Sequence, residues 1–423
     1  MSKFENYTSE EIEEQLESGE LEDSAKVNEE VKRNLIGGNP NSHSRLNRIF
    51  SKNTARRIRH TWLYRAYKVI KKIKRVVNEP SFYPEMERKP KKQRYMDNYK
   101  WLFKYHKYNP SYNRYGLDIK DFRNQDDYMD VRYVKADRIK PHHEDNAIAK
   151  HRSENITIRY SIMADNKHLF YAYIESMNPK LVPKTHVIIQ GENVVAPLDI
   201  SGRTTAEDVI NALPDGKYIM KANMGAFGDS ISVIERKGKE TIVNKGEMTL
   251  RELIDTTVNE PYLIQDFIKQ HPAISAINKS TVNTLRIIST RWHEETHILA
   301  AMIRLGVEGQ IVDNASNGGT FVGVDIEAGK LKEYGFYYDK PRETAHPSSG
   351  LVYKDYEIPY WEESLALIKK LHPIIFGFAT IGWDIAITED GPQIVEINWN
   401  YSIKGIQICN GGLKPRWDML KTM

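Results

Sequence analysis

Cysteine is nearly absent from this chain. Cys409 is the only one in 423 residues, which excludes an internal disulfide and a zinc site built on several cysteines. No run of 18 apolar residues occurs, so no segment reads as a membrane-crossing helix. Residues 1–30 are strongly acidic and do not read as a secretion signal, so none is expected. A cytoplasmic protein is therefore expected. What is present is a globular composition, 40% hydrophobic and 28% charged, in a chain longer than one core normally serves. The net charge of +4 hides a strong local asymmetry.

Residues 45–78 carry twelve Lys or Arg and no Asp or Glu. Trp62, Ala66, Val69, Ile70, Ile73 and Val77 fall on one helical face there. Such a helix packs into a core with a solvated basic face, or lies on an anionic membrane surface. No nucleic-acid motif accompanies the charge, and no nucleic-acid partner is expected. Residues 80–145 are rich in Tyr and Pro, with Tyr95, Tyr99, Trp101, Phe103, Tyr105 and Tyr108 close together. They read as an irregular segment packed against a domain, or as a base-stacking surface. From about 150 the texture becomes short strands and helices. Strands are expected at 217–222, 230–236, 240–244, 261–268, 284–292, 297–306, 320–326 and 331–337, with Thr249-x-x-Glu252 capping a short helix and a longer helix at about 361–376. Sequential hairpins with helices between them predict an α+β fold with antiparallel sheets.

The chemistry concentrates near the C-terminus. Residues 382–398 read as two apolar strands around Glu389-Asp390-Gly391. With 389–391 as the loop, 388 pairs with 392, 386 with 394 and 384 with 396. Asp384 and Glu396 then oppose each other with side chains about 5 Å apart, and Asn398 shares their face. Like charges across a ladder repel, so a bound cation is the natural remedy. Two carboxylates and an amide suit Mg²⁺ that also binds phosphates. Upstream, a strand ends at Lys221 and leads into Asn223-Met224-Gly225-Ala226-Phe227-Gly228-Asp229-Ser230, a loop whose N–H groups can line a phosphate. Arg286 and Arg304 add guanidinium groups on neighbouring strands, and Asp313-Asn314 to Gly318-Gly319 forms a polar glycine turn. Phosphoryl transfer needs this kind of charge neutralisation. His293-Glu294-Glu295-Thr296-His297 also fits the H-E-x-x-H pattern of zinc proteases, but its β-branched flanks predict a hairpin instead of the helix that chemistry requires.

The order of these motifs resembles an ATP-grasp enzyme, and most the sugar-transfer-associated branch found with polysaccharide biosynthesis and capsule. Val-Asn-Thr-Leu-Arg (282–286), Val-Asp-Asn…Gly-Gly (312–319), His-Pro-Ser-Ser-Gly (346–350) and Gly-Trp-Asp…Glu-Ile-Asn (382–398) carry the resemblance over about 160–412. It implies two α+β subdomains enclosing ATP, divided at 151–263 and 264–423, after an N-terminal extension over 1–150. It implies Lys167 and Lys221 as nucleotide lysines, and Asn223, Gly225, Gly228 and Ser230 in a lid. Gln265, Asp266, Phe267 and Ile268 would lie on the strand whose backbone meets adenine, with Gln270 or His271 at the ribose. Asp384, Glu396 and Asn398 would hold two Mg²⁺, with Glu396 bridging. Arg286 and Arg304 would hold the γ-phosphate and an acyl phosphate, and Asp313, Asn314, Gly318, Gly319 and His346 would lie near substrate. The implied activity is ATP-dependent carboxylate–amine ligation, on a uronic acid of a glycan or its precursor. The alternative is a non-catalytic ATP-binding module of a glycan-assembly complex, held peripherally at a membrane through residues 45–78.

Overall fold

The computed structural model describes residues 62–129, 162–197, 205–224, 231–279, 281–292, 295–306, 318–375, 377–399 and 401–422. They fall into two compact units, one comprising residues up to 135 with 402–404, the other 136–401 with 405–423. Among the described residues no helix is long and apolar enough to cross a membrane.

In the first unit, α1 (Trp62–Asn78) and α2 (Lys91–Tyr105) are the two long helices. The buried face of α1 is Ile73, Val76 and Val77, whereas Ile70 is 49% exposed and Tyr67 60%. The buried stripe thus turns away from Ile70, which the expected face had included. Near the helix end, the carbonyl of Val76 accepts from Asn113 Nδ2 at 2.7 Å and that of Val77 from the Arg94 guanidinium. These donors satisfy carbonyls that a helix end leaves without intrahelical partners. The Tyr-rich stretch forms this unit's own core: Tyr83, Trp101, Tyr112, Tyr115 and Tyr128 are buried. Residues 1–61, with the acidic arm and half of the basic run, lie outside the described residues.

The second unit holds two six-stranded sheets whose paired strands are all antiparallel. The first contains β1 (Thr185–Gln190), β2 (Asn193–Pro197), β3 (Gly216–Ala222), β4 (Ile231–Lys237), β5 (Glu240–Val243) and β6 (Tyr262–Asp266), in the order β2-β1-β6-β3-β4-β5. The second contains β7 (Thr284–Trp292), β8 (Glu295–Leu305), β9 (Thr320–Asp325), β10 (Lys330–Phe336), β11 (Thr380–Thr388) and β12 (Gly391–Asn398), in the order β10-β9-β8-β7-β11-β12. Helices α3 (Lys167–Met177), α4 (Ala206–Asn211), α5 (Leu250–Asp255), α6 (Pro272–Ile277), α7 (Trp361–Leu371), α8 (Lys404–Asn410) and α9 (Lys414–Thr422) are the other α-helices among the described residues. The capping box of Thr249 and Glu252 starts α5.

Strand alternation assigns each face of the first sheet a separate role. Val187, Ile189, Met220 and Ile264 pack against Val209 and Ile210 of α4 and Leu253 and Ile254 of α5. Ile188 and Leu263, on the other face, join Phe170 and Ile174 of α3 in a larger core. That core continues through Leu285, Ile287, Ile303, Trp383 and Ile385 of the second sheet. The opposite face of the second sheet buries Ile288, Ala300, Met302 and Phe321 as well, and among them stand the polar side chains of β7, β8 and β11.

Candidate functional site

Thr284, Arg286, Arg304 and Asp384 alternate with core residues on β7, β8 and β11, so they share the face opposite the core. Register brings them together: Arg286 pairs with Asp384, and Thr284 with Arg304. Asp384 pairs with Glu396, as the sequence predicts, but by a different route. The turn is Glu389-Asp390, with Thr388 opposite Gly391 and Ile385 opposite Ile394, not 388 opposite 392 and 386 opposite 394. Gly391, at φ +118°, supplies a backbone conformation that side chains disfavour. A bulge at Val395 then restores the opposition of 384 and 396. The extra residue has a purpose in packing terms. It lets Ile394 enter the core beside Ile385 while Glu396 turns to the charged face.

Asp384 is 2% exposed and fully engaged. Arg286 Nε and Nη2 donate to its two oxygens at 2.5 and 2.8 Å, and Arg304 Nη2 donates to Oδ2 at 2.9 Å. Asn398 Nδ2 adds a contact at 3.3 Å, and Arg304 is anchored through Thr284 Oγ1 at 2.8 and 3.1 Å. Burial by itself would raise the Asp384 pKa, but Arg286 and then Arg304 hold the carboxyl below its ordinary range. Glu396 is half-buried and makes no ion pair or side-chain hydrogen bond among the described residues.

The two expected nucleotide lysines come from the other side. Lys167 is the first residue of α3, and its N–H donates to Asn223 O at 3.1 Å. Asn223 Oδ1 accepts from the N–H of His168 at 2.9 Å, so this side chain fastens the start of α3. Lys221 lies on β3, on the face away from α4 and α5, and is 7% exposed. Its Nζ donates to Tyr171 Oη at 2.5 Å and sits 4.6 Å from that ring's centroid. The Tyr171 hydroxyl in turn donates to the carbonyl of Val395, the bulge residue. Burial first, then the Lys167 charge, lowers the Lys221 pKa to about 7, against a smaller opposing pull from Glu396. Two hydrogen bonds therefore connect the buried lysine to the carboxylate hairpin. Tyr171 is absent from the sequence reading. Its one signal there is the spacing Lys167-x-x-x-Tyr171, which puts both on one side of a helix.

The remaining expected residues divide. Gln265 is fully buried, with Nε2 donating to Thr185 Oγ1 at 2.8 Å and Pro183 O at 3.2 Å. Asp266 binds His186 Nε2 at 2.7 Å. The N–H groups of Asp266 and Phe267 donate to Lys184 O and Lys217 O, and Ile268 follows the strand half-buried. Gln270 bridges Thr281 O and the N–H of Asn283, at 2.5 and 2.7 Å, and His271 Nδ1 caps α6 at Ala273 N. Both are thereby tied to local structure. His346 is 1% exposed, with Nε2 3.3 Å from Gly306 O. Burial lowers its pKa. Gly306 is the last described residue before the segment bearing Asp313 and Asn314, and Gly318, at φ +85°, resumes the chain ahead of buried Gly319. Gly225, Gly228, Ser230, Asp313 and Asn314 lie outside the described residues, as do His293 and Glu294. His297 is on strand β8 opposite Thr290, so the H-E-x-x-H segment is not helical there.

The donor set of Asp384, Glu396 and Asn398 is all oxygen-bearing, which fits a hard divalent cation. A cation at Asp384 competes with two guanidinium groups. Two antiparallel sheets thus bring a buried lysine and a carboxylate–guanidinium face together in an α+β ATP-grasp fold. The chain matches the sugar-transfer-associated ATP-grasp family over residues 152–421 and belongs to that family. No curated protein matches it. Among solved structures it is similar to D-alanine–D-alanine ligase from Helicobacter pylori, with 14% identity, 63% of this chain and 60% of that one covered, and TM-score 0.36. It is also similar to L-amino acid ligase from Bacillus licheniformis (11% identity, 60% and 44% covered, TM-score 0.32). A third is the ATP-grasp ligase PsnB in complex with a phosphomimetic variant of its minimal precursor, Mg and ADP (13%, 63% and 60%, TM-score 0.32). The chain spans no more than 60% of the length of any of these three.

Proposed function

We propose that this protein joins a carboxylate to an amine at the expense of ATP, releasing ADP and phosphate. The observation that carries this reading is the convergence of Lys221 with the Asp384–Glu396 pair, linked through Tyr171 and flanked by Arg286 and Arg304. Asp384, Glu396 and Asn398 would together hold Mg²⁺, two ions in this reading. The metal would supply charge neutralisation on the phosphates. Lys221 and Lys167 would bind the nucleotide phosphates as point charges, with Asn223 fixing the α3 end that carries Lys167. The γ-phosphoryl group passes to the substrate carboxylate, giving an acyl phosphate and ADP. The amine then attacks the acyl carbon, and phosphate leaves with the C–O electron pair. Arg286 and Arg304, once released from Asp384, would face the developing charge of that intermediate. No nucleophile of the protein is needed, in keeping with a single cysteine that is buried.

On the family's association with sugar transfer, we take the acid to be a uronic acid of a glycan or its precursor, and the amine to be an amino acid or similar amine. The test is turnover of purified protein with Mg²⁺, ATP and a panel of uronic acids and amines. ADP together with an amide product supports ligation, and neither product across the panel rejects it. The bidentate grip of Arg286 on Asp384 also suits a module that binds ATP without turnover, and binding without product would favour that reading. The exposed Tyr67 and Ile70 beside Lys68, Lys71 and Lys74 support a peripheral contact with an anionic membrane at the glycan-assembly site. Flotation with anionic but not neutral vesicles is the expected result; no flotation removes it.

A further inference from the structure

We infer that Tyr171 is a positioning residue that holds the Lys221 ammonium in register with the carboxylate hairpin, so that the phosphate-binding and metal-binding halves of the site are set by one phenol. The inference rests on the reading of Lys221 as a nucleotide-phosphate ligand. Its basis is geometric. The hydroxyl accepts from Lys221 Nζ at 2.5 Å and donates to Val395 O, one residue before Glu396. Val395 is the one residue between Ile394 and Glu396 without a β11 partner, so the tyrosine grips the hairpin at its bulge. The same helix carries Lys167 one turn earlier, which ties both lysines to a single rigid element. Tyr171 is 1% exposed, and burial first, then the Glu396 and Asp384 charges, pushes its phenol well above the ordinary range. It therefore stays protonated and able to donate to Val395 while accepting from Lys221. Its ring lies beside the ammonium, a further attraction that a phenylalanine would preserve.

The simpler role, a core aromatic that only packs, is separated from this one by a double-mutant cycle. Dissociation constants for Mg–ATP are measured by calorimetry in wild type, Tyr171→Phe, Lys221→Met and the double variant. Tyr171→Phe should weaken binding about tenfold, the scale of one hydrogen bond to a charged group, and cost nothing further in the Lys221→Met background. Unchanged affinity in Tyr171→Phe, or an equal loss in both backgrounds, overturns the inference. Wild type that does not bind Mg–ATP fails the nucleotide reading itself and takes this inference with it. Because Tyr171→Phe removes both hydrogen bonds at once, the link is also read without it, from the Tyr171 13Cζ resonance of the full chain. That resonance should shift in Lys221→Met, and an unmoved resonance overturns the inference independently of affinity.

Discussion

The two sheets present their charges in opposite ways. On the second sheet, Asp384 is buried but answered by Arg286 and Arg304, and its ionised form is favoured. On the first, Lys221 is buried beside a tyrosine and faces another lysine, and its ionised form is disfavoured. One face is electrostatically satisfied by its own strands; the other carries a charge that its surroundings oppose. An anion brought to Lys221 would relieve that opposition, whereas a cation brought to Asp384 must displace guanidinium groups. The lesson is that similar burial has opposite consequences, depending on which partner the register places opposite.

The sharpest way to break this comparison is to neutralise one charge on each sheet. Asp384→Asn should cost about 3 kcal/mol, because it takes the anion from the buried Arg286 and from the half-buried Arg304. Lys221→Met should be neutral or stabilising near pH 7, since it removes an unfavourable buried charge. Urea unfolding at pH 7 compares them, and equal losses would contradict the account. The pH dependence sharpens the same point. Lys221 titrates at about 7 in the folded protein, below its ordinary value of 10.5. Between these values the unfolded chain binds more protons, so this group makes stability rise with pH across that window. Wild type should gain up to about 1.4 kcal/mol per pH unit relative to Lys221→Met from pH 7.5 to 9.5, the linkage slope for one proton. A flat difference would mean that Lys221 is not held as described.

Much of this was readable from residues, for identifiable reasons. Carboxylates at 384 and 396, flanking a turn signal, predict their own opposition, and β7 runs from Thr284 to Trp292 as its β-branched pattern suggests. The bulge was not readable, because Ile394, Val395 and Ile397 are all apolar and give no sign of which one drops out of register. Strand β1 gives a weaker signal: only Val187, Ile188 and Ile189 of Thr185–Gln190 are apolar, between Pro183 and Gly191. Gln270 and His271 show the opposite limit. The resemblance implies that one of them reaches the ribose; in the fold their side chains brace Asn283 and start α6, contacts that spacing along the chain does not encode. The grip of both arginines on Asp384 is likewise a product of three-strand register, which spacing along the chain does not encode.

Glu396 offers the most direct test, because its carboxylate is the one on this face that does not brace the strands. Thermal unfolding of wild type and Glu396→Gln should coincide without ligand. With Mg–ATP at about 100 times its dissociation constant, wild type should gain about 2.7 kcal/mol, a rise of roughly 5–10 °C. In Glu396→Gln that rise should largely disappear. An equal rise in both proteins would contradict the assignment of this carboxylate face as the metal–nucleotide site.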